Sequence, residues 1–125
     1  MPELSIKKLQ FETDSWKRRL GFMMDDNILF KNSISDLLKE NFKQDLLGEV
    51  EEFHGRFLEA DEWIGLLRNE IAELDDLLVR EIFEDGKIAK ELEIKFGEFR
   101  DNLLVVQKKL DVLKQDFQKF LASQN

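Results

Sequence analysis

The residues with the clearest potential for chemistry are Glu51 and His54, and His54 is the only histidine in the sequence. They lie three residues apart in a segment with helical periodicity, so a helix would place both side chains on one face. Helical bundles hold di-iron or di-manganese centres with such pairs, but each centre needs the pair on two helices and further glutamates on two more. Because there is no second histidine, Glu51 and His54 are metal ligands only in the alternative hypothesis, and we expect no cofactor.

His54 could also accept a phosphoryl group, because histidine phosphotransfer domains are helical bundles with an exposed histidine on one helix. Their pattern places Lys-Gly three and four residues beyond the histidine, whereas this chain has Phe57 and Leu58 at those positions. A metal-binding or phosphotransfer bundle centred on His54 is therefore the second functional hypothesis and not the first.

Adjacent carboxylates such as Asp25 with Asp26, and Asp75 with Asp76, have the chemistry to bind hard cations or transfer protons. In a chain with 27 Asp and Glu residues, such pairs arise from composition alone. No glycine-rich phosphate loop accompanies them, and the absence of cysteine excludes thiolate catalysis, disulfides and cysteine-ligated metals. The sequence therefore predicts a protein that is not an enzyme.

The elements that carry these residues are indicated by long apolar seams, from Leu46 to Leu78 and from Ala89 to Phe120. In both, apolar residues alternate at spacings of four and three, which is typical of helices that pack along a partner. A third run, from Trp16 to Leu37, keeps this spacing with Asn27 as its one polar residue. Gly86 suits the turn between the second and third helices. We predict an all-α fold, an antiparallel up-down-up three-helix bundle with long coiled-coil-like helices.

The 125 residues are expected to form a single helical domain with an irregular segment over residues 1–12. Thr13, Asp14 or Ser15 is predicted to cap the first helix. Over residues 38–46 the seam goes out of phase by two residues, which fits either a turn or a kinked continuous helix. The helices are expected at about 14–41, 45–84 and 87–122.

A first helix of this length would stop short of the Gly86 turn and leave part of the hairpin uncovered. Residues 1–12 or a second molecule would then cover the remaining apolar surface. We therefore expect a protein-interaction or structural module that self-associates, with a dimer favoured, or that binds another helical protein. The predicted contact residues are Phe22, Met24, Ile28, Leu29, Leu77, Ile82 and Ile88.

The net charge of −8 is concentrated in the middle of the chain, where residues 45–86 carry fourteen acidic residues and three arginines. The flanking thirds are mildly basic, a pattern that fits pairing of the middle helix with both neighbours and fits charged solvent-facing surfaces equally well. No basic patch is present, so neither nucleic acid nor a membrane surface is an expected partner. No signal sequence or membrane-spanning run is visible, and we expect a cytoplasmic protein.

Overall fold

The computed structural model describes residues 5–40, 44–84 and 86–124, and the regular elements in these ranges are three α-helices. The helices are α1 (Ile6–Glu40), α2 (Gln44–Glu84) and α3 (Ala89–Ser123). Their 35, 41 and 35 residues correspond to lengths of about 52, 61 and 52 Å. Within the described residues, none of the helices combines the length and the apolar character needed to cross a bilayer.

Ion pairs between neighbouring helices show that each helix runs antiparallel to the next. Lys17 near the start of α1 pairs with Asp75 near the end of α2, at 2.6 Å. Arg56 in the first half of α2 pairs with Asp116 near the end of α3, at 3.0 Å. The all-α, up-down-up three-helix bundle predicted from the seams is confirmed. In the ion pair with α1, the acidic helix α2 contributes the carboxylate of Asp75. In the ion pair with α3, it contributes the guanidinium of Arg56, so α2 does not pair with both neighbours through its acidic residues alone.

The start of α1 differs from the prediction, because the helix begins at Ile6 and not near residue 14. The Ser5 hydroxyl accepts a hydrogen bond from the backbone N–H of Lys8 at 3.3 Å, which caps the first turn. Thr13, a predicted cap, is instead buried inside the helix. The expected irregular segment is therefore wrong for residues 6–12, while residues 1–4 lie outside the described part of the chain.

The physical reason is that the first seam continues backward from Trp16 through Thr13 to Leu9 and Ile6 with the same four-three spacing. Leu9 is buried in the core at the Gly86 end of the bundle, and Ile6 packs against it. The first turns of α1 therefore cover the distal hairpin that the shorter predicted helix would have left open.

The two helix connections differ in how much of the prediction they test. The prediction left a turn or a kinked continuous helix open over residues 38–46, and residues 41–43 of that range lie outside the described residues. At the other connection Gly86 has a φ of +89°, a conformation that glycine adopts without a Cβ penalty. After this turn α3 begins at Ala89, two residues later than expected.

The seams form a core in two clusters. The distal cluster lies toward Gly86 and includes Trp16, while the proximal cluster lies toward the α1–α2 connection and includes Phe57 and Phe117. Trp16 contacts Phe99 with ring centroids 4.5 Å apart, and Phe57 meets Phe117 edge-on at 5.1 Å. Such aromatic pairs add about 0.5–1.5 kcal/mol beyond the area they bury.

Helix α2 packs directly against both neighbours, whereas the Cα atoms of α1 and α3 stay more than 8 Å apart in the described residues. Long side chains bridge this wider gap. Trp16 reaches Phe96 and Phe99, and Arg100 donates two hydrogen bonds to the Glu12 carboxylate, at 2.6 and 2.9 Å. The hydrogen bonds from Arg100 to Glu12 outweigh partial desolvation and raise the pKa of Arg100 above its ordinary value.

Candidate interaction surface

The most exposed large apolar side chains of α1 lie along one line on the side that faces away from the core. Phe11, Phe22 and Leu29 are 69%, 67% and 61% exposed. They are separated by 11 and 7 residues, close to whole numbers of helical turns, so they share one face over about 27 Å. We call this line, together with the intervening Arg18 and Asp25, the outer face of α1.

The outer face follows from the position of the core seam. Phe22 is two residues beyond the buried Leu20, and two residues rotate a side chain by about 200° around a helix. Since Leu20 points into the core, Phe22 points into solvent. Water therefore surrounds side chains whose burial would each contribute about 1.5–3 kcal/mol.

The seven predicted contact residues do not form one patch. Phe22 and Leu29 lie on the outer face of α1, whereas Met24 and Ile28 line a shallow groove between α1 and α2. The remaining three lie near the Gly86 end of the bundle. Four of the seven are exposed: Phe22, Ile28, Leu29 and Ile82. Three are partly buried: Met24, Leu77 and Ile88.

Phe11 is the residue of this surface that sequence reasoning missed. Its separation from Phe22 by 11 residues was a usable signal, since that spacing brings two residues to the same helix face. The signal was lost because residues 1–12 were predicted to be irregular. With α1 beginning at Ile6, Phe11 lies inside the helix and extends the outer face toward its N-terminal end.

A groove of about 230 Å³ lies next to the outer face, between α1 and α3. Its floor is apolar and includes Met23, Phe30 and Leu110, each partly buried. Its rim carries charges of both signs, and Phe22 stands at its edge. The groove is a consequence of the wider α1–α3 spacing, and it makes the apolar surface around Phe22 broader than one helix face.

A polar network on the α2 side of α1 fixes how α1 sits on the bundle. The Asn27 side-chain amide donates to the Phe57 carbonyl at 3.1 Å and to the Asp61 carboxylate at 2.8 Å. Lys31 donates to the other Asp61 oxygen at 2.6 Å. Burial alone would raise the pKa of Asp61, but the hydrogen bonds from Lys31 and Asn27, with the Lys31 charge, lower it below its ordinary value. This network leaves the outer face of α1 directed to solvent.

His54 and Glu51 are exposed on α2 and lie along a shallow groove with Ile34 and Leu38 of α1. Across residues 5–40, 44–84 and 86–124 there is no group of three or more His, Cys, Asp or Glu side chains that could hold a metal ion. The structure therefore adds no further ligand to the pair, and metal binding or phosphotransfer at His54 stays a prediction.

Comparison of the chain with protein-family models, with curated proteins and with solved structures yields no match in any of the three.

Proposed function

We propose that this chain is a non-enzymatic helical interaction module that self-associates through the outer face of α1. The observation that carries the proposal is the alignment of Phe11, Phe22 and Leu29 on one solvent-facing line. Exposed apolar residues are normal when they are scattered, whereas large ones aligned on one face of a helix form a candidate interaction site. A coiled-coil-like contact between α1 helices would bury that line, and the module would act in the cytoplasm.

A dimer is favoured because the same face on two copies is self-complementary around a two-fold axis. Large aromatic side chains near the centre of an interface commonly carry most of its binding energy, and Phe22 occupies the central position here. The groove beside Phe22 offers further apolar area to a partner helix. These features support a closed pair of chains over an open chain of contacts.

The test is the solution mass measured by light scattering after size exclusion, over a series of protein concentrations. The wild-type chain is expected to approach twice its monomer mass of 14.8 kDa as concentration rises. Replacing both Phe22→Asp and Leu29→Asp is expected to raise the dimer dissociation constant by about a hundredfold or more. Circular dichroism should show unchanged helix content, since both side chains are largely exposed.

Two further variants make the test specific. Phe22→Gln with Leu29→Gln removes the apolar surface without adding charge, and it too should be monomeric. Leu66→Asp is the matched control, because Leu66 is 62% exposed but lies on α2, away from this face. A wild-type chain that stays monomeric at every concentration would overturn self-association. Equal loss of dimer in Leu66→Asp and in the α1 variants would overturn the assignment to the outer face.

A further inference from the structure

Charges flank Phe22 asymmetrically along α1. Arg18 and Arg19 precede it, and Asp25 and Asp26 follow it. All four side chains are exposed. Within the described residues, Arg18, Arg19 and Asp25 have no ion-pair partner within 4.0 Å, while Asp26 only reaches Lys114 at that limit. The charges immediately before Phe22 are therefore basic and those immediately after it acidic, and of these four only Asp26 reaches an ion-pair partner within the described residues.

These charges share the helix face with the apolar residues. Arg18, Phe22, Asp25 and Leu29 follow one another at spacings of four, three and four, the same pattern as the core seams. The outer face is thus a second, partly charged seam on the side of α1 opposite the first. A seam of this kind is suited to a helix that lies along it.

The charge order selects the direction of the partner helix. If two copies of α1 met in parallel, Arg18 would face Arg18 and Asp25 would face Asp25, and like charges at close range oppose association. If they met antiparallel, Arg18 of each copy would lie near Asp25 of the other. Phe22 of both copies would then lie close to the two-fold axis.

We propose that the partner of the outer face is a second copy of this chain bound antiparallel, with Arg18 of each copy paired to Asp25 of the other around Phe22. This inference rests on the proposed self-association and adds its geometry. The contact is isologous, so the Arg18–Asp25 pairing occurs twice and the interface closes at two chains. Helix direction is set by charge, while Phe22, which meets its counterpart beside the two-fold axis, supplies the largest apolar contact.

Charge reversal tests this geometry. Arg18→Asp and Asp25→Arg each place two like-charge pairs in an antiparallel dimer, so each should raise the dissociation constant by about tenfold or more. The double variant Arg18→Asp with Asp25→Arg restores both pairs in reversed order, and its dissociation constant should return to within about threefold of wild type. Sedimentation equilibrium measures all four chains under one salt condition.

The alternative parallel arrangement gives a different pattern. In a parallel dimer, reversing the charge at position 18 or 25 replaces one pair of like charges with another pair of like charges. Neither single variant would then weaken the dimer, and the double variant would have no loss of affinity to restore. Lys108→Asp is the control, since Lys108 is an exposed base on α3, and it should dimerise like wild type.

Failure of this inference and failure of the proposed function are distinguishable. A wild-type chain that is monomeric throughout would overturn self-association itself, together with the geometry. A wild-type dimer whose affinity is unchanged in both single variants would overturn the antiparallel pairing but leave self-association standing. Weakening in both single variants without rescue in the double variant would also contradict the pairing of Arg18 with Asp25.

Discussion

Asn27 and Glu81 are two buried polar residues at equivalent seam positions, and the bundle treats them differently. Asn27 is 3% exposed, and its amide donates two hydrogen bonds to α2. Glu81 is 6% exposed at the distal end of α2, three residues beyond Leu78, and neither carboxylate oxygen has a hydrogen-bond partner in the described part of the chain. Asn27 is satisfied by its neighbours, whereas Glu81 finds no hydrogen-bond partner among the described residues.

The difference shows that a polar residue in a seam has no fixed effect on stability. At Asn27, hydrogen bonds to the Phe57 carbonyl and the Asp61 carboxylate exist only in one register of α1 against α2, so this residue selects that register. At Glu81, burial removes water from a carboxylate to which the described residues supply no hydrogen bond, which costs free energy. Glu81 also lies in the last turn of α2, where the helix dipole disfavours negative charge.

The largest effect on stability is expected for Asn27→Asp. The substitution keeps the shape of the side chain but places a second carboxylate where Asn27 now donates to Asp61 at 2.8 Å. Both hydrogen bonds from Asn27 are lost, and two acids face each other in a largely buried site. We expect the free energy of unfolding to fall by about 3 kcal/mol, measured by urea denaturation at neutral pH.

Asn27→Leu is the control that separates the effect of an added negative charge from the effect of losing the amide hydrogen bonds. It removes the hydrogen bonds but fills the seam with apolar volume, so its stability should stay within about 1 kcal/mol of wild type. Equal destabilisation by the two variants would contradict the role given to charge. Unfolding of Asn27→Asp at the wild-type urea midpoint would contradict the hydrogen bonding of Asn27 altogether.

The second effect has the opposite sign. Glu81→Leu continues the α2 seam with the residue type found at Leu74 and Leu78, and it removes a buried carboxylate that has no partner in the described chain. The free energy of unfolding should rise by about 2 kcal/mol in the same urea experiment. Glu73→Leu, at an exposed position on the same helix, should change it by no more than about 0.5 kcal/mol. A destabilised Glu81→Leu chain would mean that the carboxylate has a stabilising role.

These two residues also show what the sequence could reveal. Apolar spacing identified the three helices, and Asn27 was recognisable as the single polar residue in its seam. Glu81 follows Leu78 at the next seam position, but the unbroken apolar run ends at Leu78, so the spacing of apolar residues does not predict that Glu81 is buried. The start of α1 was missed for a similar reason, because Thr13 occupies a seam position and resembles a helix cap.

The interaction surface was harder to predict than the fold. The buried side of a helix follows from periodicity, and Phe22 and Leu29 were identified as lying off that seam. Whether such residues meet solvent or a second helix depends on the rotation of α1, which hydrogen bonds from Asn27 and Lys31 to Asp61 help to set. Sequence spacing does not reveal these hydrogen bonds between helices. The predicted contact residues therefore combine Met24 and Ile28 with Phe22 and Leu29, which lie on a different face of α1.

The smallest effect on stability is expected for protonation of Asp61, which accepts a hydrogen bond from Asn27. Because the pKa of Asp61 is lower in the folded chain than its ordinary value of 3.8, its contribution to stability is present above that value. The contribution is lost as pH falls through the folded pKa. The side chain is 38% exposed, so solvent limits the loss to about 0.5 kcal/mol.

The measurement is an NMR titration of the Asp61 carboxyl carbon in the wild-type chain and in Asn27→Leu. The wild-type midpoint should lie below 3.8, and Asn27→Leu should move the midpoint upward, because one of the hydrogen bonds to the charged form is removed. Lys31→Met removes a hydrogen bond together with a positive charge, so its upward shift should be larger. An Asp61 midpoint that is the same in all three chains would show that the bonds from Asn27 and Lys31 do not favour the ionised carboxylate, and Asn27 would then be satisfied by the Phe57 carbonyl alone.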